Sequence, residues 1–538
     1  MRQSETRAWL GALAAASLLA LLLYAPSATG PFVGDDYGYV LHNEYIHDLS
    51  GDSLGELLDP RGAAAAYLTN YSPLAQLAHA LQWQWFGTET VGYHLTNVLL
   101  HAGTSVLLAA LYLAWGLPRA AAWILAAIFL VHPANVEAVA WIFQLKTICA
   151  LALSLGALLL MKRHPAGSLA LFTAALLTKI SAVAVLPAAI LRTLASDERK
   201  RSRSLWLLGW VGIAVLCSIP QQWAFSHGGS ANVFQPYADV GEHFRTIVAI
   251  AGRYLALAFT GFGASAFHQI PPSSAWTEPW FLFGVFGLGA IGARAVVVFR
   301  RPGAEAAFWG FAAAGWLPTS QVVPFVFSMG DRYLYFVLPG LLGATFLAAQ
   351  AAAQRLAGAG SQRWARPLRA LPTVAGAFLV VALGAQAAVR IPLWSSELRL
   401  ELDAAKNYPE GSVGLVLRAR RAAGDQDPEL GVALLERLAD TGYDTFLPLL
   451  RDPGLAPLRS HPGFEAAMSR VAGNWIVAVA GRDPLIQPEL RMLGLARWAR
   501  REREDAIAAY RRGLGVGGPL DEAIRAELAQ VEAGRALY

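Results

Sequence analysis

The stretch WLGALAAASLLALLLYA, residues 9–25, decides the fold class because it is an uncharged apolar run. A helix that crosses a bilayer needs about 20 such residues. The segment GPFVGDDYGYVLHNEY, residues 30–45, follows almost at once and carries two adjacent carboxylates, Asp35 and Asp36. The sequence therefore predicts a first membrane helix and raises the question of what two acids do at its exit.

The composition extends this prediction to the whole chain. Of 538 residues, 55% are hydrophobic and 15% are charged, whereas soluble domains carry about 25% charged residues. The basic residues are dispersed, so no nucleic-acid partner is expected. Both cysteines, Cys149 and Cys217, lie in apolar runs. A disulfide framework or a thiolate metal site is therefore not expected.

Further apolar runs predict a polytopic membrane protein. The runs are 8–27, 93–115, 119–133, 138–161, 168–195, 204–222, 245–263, 278–299, 306–327, 333–352 and 369–390. Cytoplasmic loops retain Lys and Arg, and RTLASDERKRSRS (192–204) is the strongest basic loop, so we predict about eleven crossings with a cytoplasmic N-terminus. This topology makes run 168–195 two short spans with Thr178–Lys179 at an outer tip. It also makes run 245–263 re-entrant or parallel to the outer surface.

After residue 392 the composition changes. Segments 415–442 and 493–533 have apolar residues at helical spacing, and a Gly/Pro break divides the second segment. This pattern is typical of tetratricopeptide-repeat (TPR) helices. We predict a membrane domain at 1–392, whose outer loop 28–92 carries the acid doublet, and an outer α-helical domain at 393–538.

The predicted topology brings the polar motifs to the outer side. Asp35 and Asp36 can act as a general base with an orienting partner or as cation ligands, or they can simply cap a helix. His132 and Glu137, in VHPANVE (131–137), can hold a polar substrate or cap the end of the span. For Asn97 and His101, hydrogen bonding between helices is favoured over catalysis.

Four cations lie at the outer boundary, against the positive-inside bias. They are Lys146, Lys179, Arg253 and Arg332. A phosphate group suits such positions, since Lys offers a point charge and Arg a bidentate fork. The alternatives are snorkelling to interfacial water, or pairing with Asp331 or Glu137.

Several motifs, taken in order, are similar to those of one family. They are FVGDDYGYVLHN (32–43), YSPLAQLAHALQWQWFGTETVGYHLTNVLLHA (71–102), LAAIFLVHPANVEAVAWI (125–142), LLTKISAVAVLP (176–187) and WLPTSQVVPFVFSMGDRYLYFVLPG (316–340). Together with the repeat tail, they resemble the transmembrane and tetratricopeptide-repeat O-mannosyltransferases and their bacterial relatives. These are integral-membrane glycosyltransferases of the GT-C class.

The resemblance implies an all-α polytopic fold of GT-C type. It also implies a polyprenyl-phosphate-linked sugar donor and inverting transfer to an acceptor hydroxyl, for example on protein Ser or Thr. The catalytic acid would be Asp35 or Asp36.

The resemblance also assigns the other candidates. His132 and Glu137 match the family's His-Pro…Glu motif, and with Tyr71 and His94 they are the candidates for contact with acceptor or sugar. Donor phosphate would meet Lys179, Arg332 and Lys146.

The chain departs from the family at two places. Ser72 replaces a frequent Arg, and Leu145, Lys146 and Thr147 replace an Arg-Lys-Asp run. The donor sugar therefore stays unassigned. No cofactor is predicted, and the need for a divalent cation is left open.

The Ala-, Arg- and Gly-rich composition is typical of a high-GC bacterium. This indicates an inner-membrane protein whose active site and C-terminal domain are periplasmic, with an acceptor protein or glycan that the repeats select. The alternative functions are a lipid-linked sugar flippase or polysaccharide transporter, a non-enzymatic scaffold with partner-binding repeats, and a metal-dependent oligosaccharide transferase.

Overall fold

The computed structural model describes residues 3–68, 70–195, 200–227, 237–322, 327–359, 362–481, 485–518, 520–535 and 537. Within these ranges every regular element is helical and no strand occurs, so the all-α prediction is confirmed.

The first part of the chain is a bundle of helices with one extensive apolar core. Its α-helices are α1 (Gln3–Tyr24), α2 (Gly51–Leu58), α3 (Ala63–Leu68), α4 (Pro73–Phe86), α5 (Thr90–Ala114), α6 (Arg119–Val131), α7 (Val136–Ala140), α8 (Leu145–Leu160), α9 (Pro165–Thr178), α10 (Leu186–Leu194), α11 (Lys200–His227), α12 (Val240–Thr260), α13 (Pro279–Phe299), α14 (Ala304–Trp316), α15 (Leu338–Ala359) and α16 (Gln362–Arg390). Short 3₁₀ segments join them at Ala25–Ser27, Glu44–Ile46, Pro133–Asn135, Ile142–Gln144, Ile180–Val185, Leu317–Thr319, Asp331–Phe336 and Ile391–Ser395, and Tyr37–Leu41 is a π-helical turn.

Among the described residues, six helices are long and apolar enough to cross a membrane, or seven if the bent pair Arg119–Val131 and Pro133–Ala140 counts as one span. Several of these helices leave their apolar surface uncovered: only 11% of the apolar window of Pro279–Phe299 is buried, and 17% of that of Leu205–Phe225. Apolar faces of this size are not stable in water. The structure therefore supports a multi-pass membrane protein.

The predicted runs coincide with helices, with local differences. Run 168–195 is divided at Lys179, where α9 ends, as predicted. Run 306–327 is a helix only as far as Trp316, since Pro318 lies at the start of a 3₁₀ turn and cannot continue an α-helix. Run 245–263 is the helix α12, which is not among the candidate spans. The predicted total of about eleven crossings stays a prediction.

The predicted outer loop folds into a small unit of its own. Its helices α2, α3 and α4 enclose a separate core that includes Phe32, Val40 and Ile46 and reaches Ile142, in the 3₁₀ segment before α8. The loop is therefore packed against the helix bundle, and the acid doublet lies at its base.

Most of the C-terminal helices pack against the next helix in the chain. They are α17 (Glu397–Asn407), α18 (Ser412–Gly424), α19 (Pro428–Asp440), α20 (Phe446–Arg451), α21 (Pro462–Val479), α22 (Gln487–Ala499), α23 (Arg503–Val516) and α24 (Asp521–Glu532), with a 3₁₀ segment at Pro453–Ser460. Helices α18 to α24 share a second core that begins at Leu415, whereas Leu400 in α17 belongs to the first core. The change of core thus lies beyond the predicted boundary at residue 392.

Candidate functional site

The acid doublet lies on a tight loop that is hydrogen-bonded to residues 141–143, the short segment between α7 and α8. The indole Nε1 of Trp141 donates a hydrogen bond to the Val33 carbonyl at 3.0 Å. Gly34 has a φ of +54°, which favours glycine, and its α-carbon faces the Trp141 ring. The loop thereby turns sharply and presents the next two residues in different directions.

The two acids have different surroundings. The Asp36 side chain is fully buried. Its Oδ2 accepts from the Val33 amide at 2.9 Å and its Oδ1 from the Phe143 amide at 2.7 Å. Burial raises the pKa of Asp36 to about 8, against the two backbone hydrogen bonds, which favour the ionised form. Asp35 is exposed. Asp36 therefore holds the loop, and Asp35 is the acid that is open to the surroundings.

Arg332 and Glu137 form a buried ion pair next to this loop. The Glu137 carboxylate accepts from the Arg332 backbone amide at 2.7 Å and also from the guanidinium. The side chains are 13% and 3% exposed. The guanidinium lies over the Trp141 ring, 5.3 Å from its centroid, and over the Tyr333 ring at 4.8 Å. Arg332 therefore pairs with Glu137, which was one of the alternatives to a phosphate group that the sequence offered.

The neighbouring Asp331 is also fixed by buried partners. His268 Nε2 donates to Asp331 Oδ1 at 2.6 Å, and His268 Nδ1 accepts from the Tyr408 hydroxyl at 2.8 Å. The Ser265 amide donates to the other carboxylate oxygen at 3.1 Å. The segment before Arg332 is therefore held in place by residues as far along the chain as α17.

Lys146 occupies an aromatic environment. Its ammonium lies 3.8 Å from the Phe143 ring centroid and 4.6 Å from that of Tyr39. The residue is 6% exposed, and within the described part of the chain its ammonium makes no hydrogen bond or ion pair. A buried cation without a carboxylate partner is costly, so this position favours an anion from outside the chain.

Lys179, at the break between α9 and α10, forms no ion pair in the described ranges, and the carboxylate that interacts with it electrostatically is Glu137. Its ammonium donates to the Thr147 hydroxyl at 2.7 Å, and Thr147 donates to Gln144 Oε1 at 2.6 Å. We refer to Lys146, Lys179 and Arg332 as the cationic cluster. Its members interact electrostatically with one another, and Asp35 interacts with Lys146 and Arg332.

The structure therefore brings six of the predicted site residues into one region: Asp35, Asp36, Glu137 and the three members of the cationic cluster. His132 is fully buried, with Nε2 donating to the Ala258 carbonyl at 3.0 Å and Nδ1 accepting from the Ala134 amide at 3.1 Å. This is the helix-capping alternative of the sequence analysis, and no ring nitrogen of His132 is left for a sugar.

Two further candidates have structural partners. His94 is buried and its Nε2 donates to the Gly30 carbonyl at 3.1 Å, which fixes the start of the acid-bearing loop. The Tyr71 hydroxyl donates to the Leu58 carbonyl at 2.9 Å, within the outer loop. The predicted contact of either residue with a sugar or acceptor remains a prediction.

The favoured interpretation of Asn97 and His101 is confirmed. Asn97 donates to the Trp141 carbonyl at 3.0 Å. His101 donates to the Leu130 carbonyl at 3.0 Å and accepts from the Tyr335 hydroxyl at 2.8 Å. These polar side chains bind one part of the bundle to another.

Sequence reasoning missed three residues that shape the site: Trp141, Thr147 and His268. Trp141 lies four residues after Glu137 of the His-Pro…Glu motif, and Thr147 follows Lys146, so their positions near recognised residues were the available signals. His268 lies in a loop with no motif around it. Across the described residues, no group of three or more His, Cys, Asp or Glu side chains is arranged to hold a metal ion.

Comparison with protein-family profiles, with curated proteins and with solved structures finds no match for this chain.

Proposed function

We propose that this protein is an integral-membrane, inverting glycosyltransferase of GT-C type that moves a sugar from a polyprenyl-phosphate carrier to an acceptor hydroxyl. The observation that carries the proposal is the pairing of opposite chemistries in one region. The exposed carboxylate of Asp35 interacts electrostatically with Lys146 and Arg332, and among the described residues neither the Lys146 nor the Lys179 ammonium forms an ion pair. A transferase of this kind needs a base on one side of the reacting carbon and an anion site on the other.

The chemistry follows from these groups. The Asp35 carboxylate takes the proton of the acceptor hydroxyl as its oxygen attacks the anomeric carbon, a contribution of roughly 10²–10⁴-fold to the rate. The new bond forms on the face opposite the phosphate, so the configuration inverts. The bond from the anomeric carbon to the phosphate oxygen breaks, and its electron pair leaves with the polyprenyl phosphate.

The cationic cluster stabilises that departing anion, where negative charge develops. Lys146 and Lys179 supply point charges. Glu137 fixes the orientation of the Arg332 side chain. Because this one carboxylate pairs with only one of the three cations, the cluster as a whole keeps a positive charge. Asp36 positions the base through the loop and takes no proton from the acceptor. The need for a divalent cation is left open in this mechanism.

The same proposal covers the membrane arrangement. The lipid tail of the carrier lies between apolar spans, of which there are about eleven. The N-terminus is cytoplasmic, and the site and the TPR-like domain at 393–538 face the periplasm, where the repeats select an acceptor protein or glycan. The carrier there is undecaprenyl phosphate.

The test is transfer of radiolabelled sugar from a panel of polyprenyl-phosphate sugars, with membranes that contain wild-type protein or the Asp35→Asn variant. We expect label on an acceptor with wild type and its loss with the variant at equal protein level. If no donor gives label with wild type, the transferase proposal fails. Lipid-flipping and partner-binding assays then address the transporter and scaffold alternatives.

A further inference from the structure

A surface groove begins directly beside the acid-bearing loop. Its first part is lined by Val33, Gly34, Trp141 and Trp394, together with Phe267 and Glu397. Phe267 is 38% exposed although it is apolar. Gly34 precedes Asp35 in the chain, and Glu397 interacts electrostatically with Tyr37 on the other side of the doublet. The groove thus starts within a residue or two of the proposed base.

The groove continues onto the C-terminal helices. Glu401 and Val413 line both this first part and a second depression, which runs over Val416, Leu417 and Pro448. The first part belongs to the helix bundle and α17, and the second to α18 and the helices after it. A molecule lying in the groove therefore contacts both parts of the chain at once.

The charge of the groove is negative. Glu401 and Asp452 both pair with Arg420, at 3.0 Å and 2.6 Å. Glu397 has no hydrogen bond or ion pair to the described residues, and burial, followed by the nearby Glu401 carboxylate, raises its pKa against the opposing effect of Arg420. One cation thus faces three carboxylates, and the carboxylate nearest the proposed base is the unpaired one.

We propose that this groove binds the acceptor as an extended polypeptide that carries a basic side chain, with Glu397 as the partner of that side chain. The inference rests on the proposed function, since it takes Asp35 as the base that meets the acceptor hydroxyl. The polypeptide would place its Ser or Thr at Asp35, its basic residue at Glu397, and its following residues along Val413 and Leu417.

The lining favours a polypeptide over a glycan. Aromatic side chains line the first part of the groove, whereas most of the lining beyond Glu401 is aliphatic and fits apolar peptide side chains, with Tyr443 as its one aromatic ring. An extended chain also suits a continuous groove, because the two depressions share Glu401 and Val413 and each residue of such a chain advances about 3.3 Å.

The experiment measures binding without transfer. Full-length protein in lipid nanodiscs is titrated into fluorescein-labelled Ser/Thr peptides that differ only in a Lys, Gln or Glu placed near the hydroxyl residue, and anisotropy is recorded. We expect the Lys peptide to bind about tenfold more tightly than the Glu peptide, because like charges repel at an interface. The difference should shrink as salt is added.

Variants locate the effect. Glu397→Lys should reverse the order of the Lys and Glu peptides, and Val413→Trp should weaken all three by filling the junction of the groove. Glu522→Lys, an exposed charge reversal on α24, is the matched control and should change nothing. The proposal would be overturned by any of three results. The three peptides could bind equally well, Glu397→Lys and Glu522→Lys could have equal effects, or a labelled oligosaccharide could bind more tightly than the peptides.

Binding and transfer measured on the same protein separate the groove assignment from the transferase function. If wild type transfers sugar to a small alcohol but shows no peptide preference, the groove assignment fails alone. If the peptides bind in the expected order and no donor gives transfer to any acceptor, the transferase function fails while the groove remains a peptide site.

Discussion

The Asp36 carboxylate accepts a hydrogen bond from the Phe143 backbone amide at 2.7 Å, across 107 positions of the chain. This bond ties the first loop to the start of a membrane helix. The aromatic ring of the same Phe143 lies under the Lys146 ammonium. Phe143 therefore contacts both the acid-bearing loop and Lys146 of the cationic cluster. These two contacts hold the loop at residues 33–36 close to Lys146, although the two are far apart in the chain.

Replacing Asp36 tests its role as a positioning residue. Asp36→Asn puts an amide NH₂ where an oxygen accepts a backbone amide, so one buried donor loses its partner. At acidic pH, where Asp36 is protonated and contributes its full stability, we expect a loss of about 1–3 kcal/mol, measured as a lower thermal midpoint in detergent, together with reduced transfer. Asp35→Asn is the control and should leave the midpoint unchanged, since Asp35 is exposed. Equal midpoints for Asp36→Asn and wild type would contradict the assignment.

The buried position of Asp36 also predicts a pH dependence. Burial raises its pKa from 3.8 to about 8, so the folded state binds a proton more tightly than the unfolded state. This contribution to stability is present in full below pH 3.8 and is lost as pH rises to about 8. The midpoint of wild type relative to Asp36→Asn should therefore fall across this window. A difference that is constant with pH, or that grows as pH rises, would count against it.

The Arg332–Glu137 pair gives a third prediction. Glu137→Ala leaves a buried guanidinium without its partner and should cost about 3–5 kcal/mol. The double variant Arg332→Met with Glu137→Leu removes both charges and should recover most of that stability. Because the cationic cluster loses a member, the double variant should still transfer sugar slowly. Thermal midpoints and transfer rates of the three proteins provide the test, and a double variant with the wild-type transfer rate would show that Arg332 has only a structural role.

Lys146 should affect donor binding and not folding. Lys146→Met removes an unpaired buried charge and fills the aromatic site with a side chain of similar length, so the thermal midpoint should be unchanged or higher. Donor affinity should weaken by about tenfold or more, equivalent to about 1.4 kcal/mol. Titration with a polyprenyl-phosphate sugar measures it, with the exposed Lys162→Met as the matched control. Donor binding that is the same in both variants would remove Lys146 from the phosphate site.

Much of the fold could be predicted from the sequence, because helix-forming apolar runs are local signals. The break at Lys179 followed from requiring both flanking basic segments to lie on one side. The early end of α14 was missed although Pro318 marks it, since the apolar run continues beyond the proline. The core of the C-terminal helices begins later than the change in composition, because α17 is polar in sequence yet packs on the first core through Leu400.

The site was less predictable from the sequence. Whether a side chain is buried decides its role there, and burial depends on segments that are distant in the chain. Two adjacent Asp residues are equivalent in sequence, and the amide of Phe143 distinguishes them. His132 had the spacing of a functional residue, but the carbonyl of Ala258, 126 positions away, engages its ring. Lys146 and Lys179 were identified because cations at an apolar boundary are unexpected wherever the chain folds.

The most direct test of the central claim is a single-turnover measurement of sugar transfer by wild type and Asp35→Asn, with donor pre-bound at saturation. If Asp35 is the base, the variant should bind donor with unchanged affinity and transfer roughly 10²–10⁴-fold more slowly. A variant that transfers at the wild-type rate would show that the exposed acid takes no part in the reaction, and the proposed mechanism would be wrong.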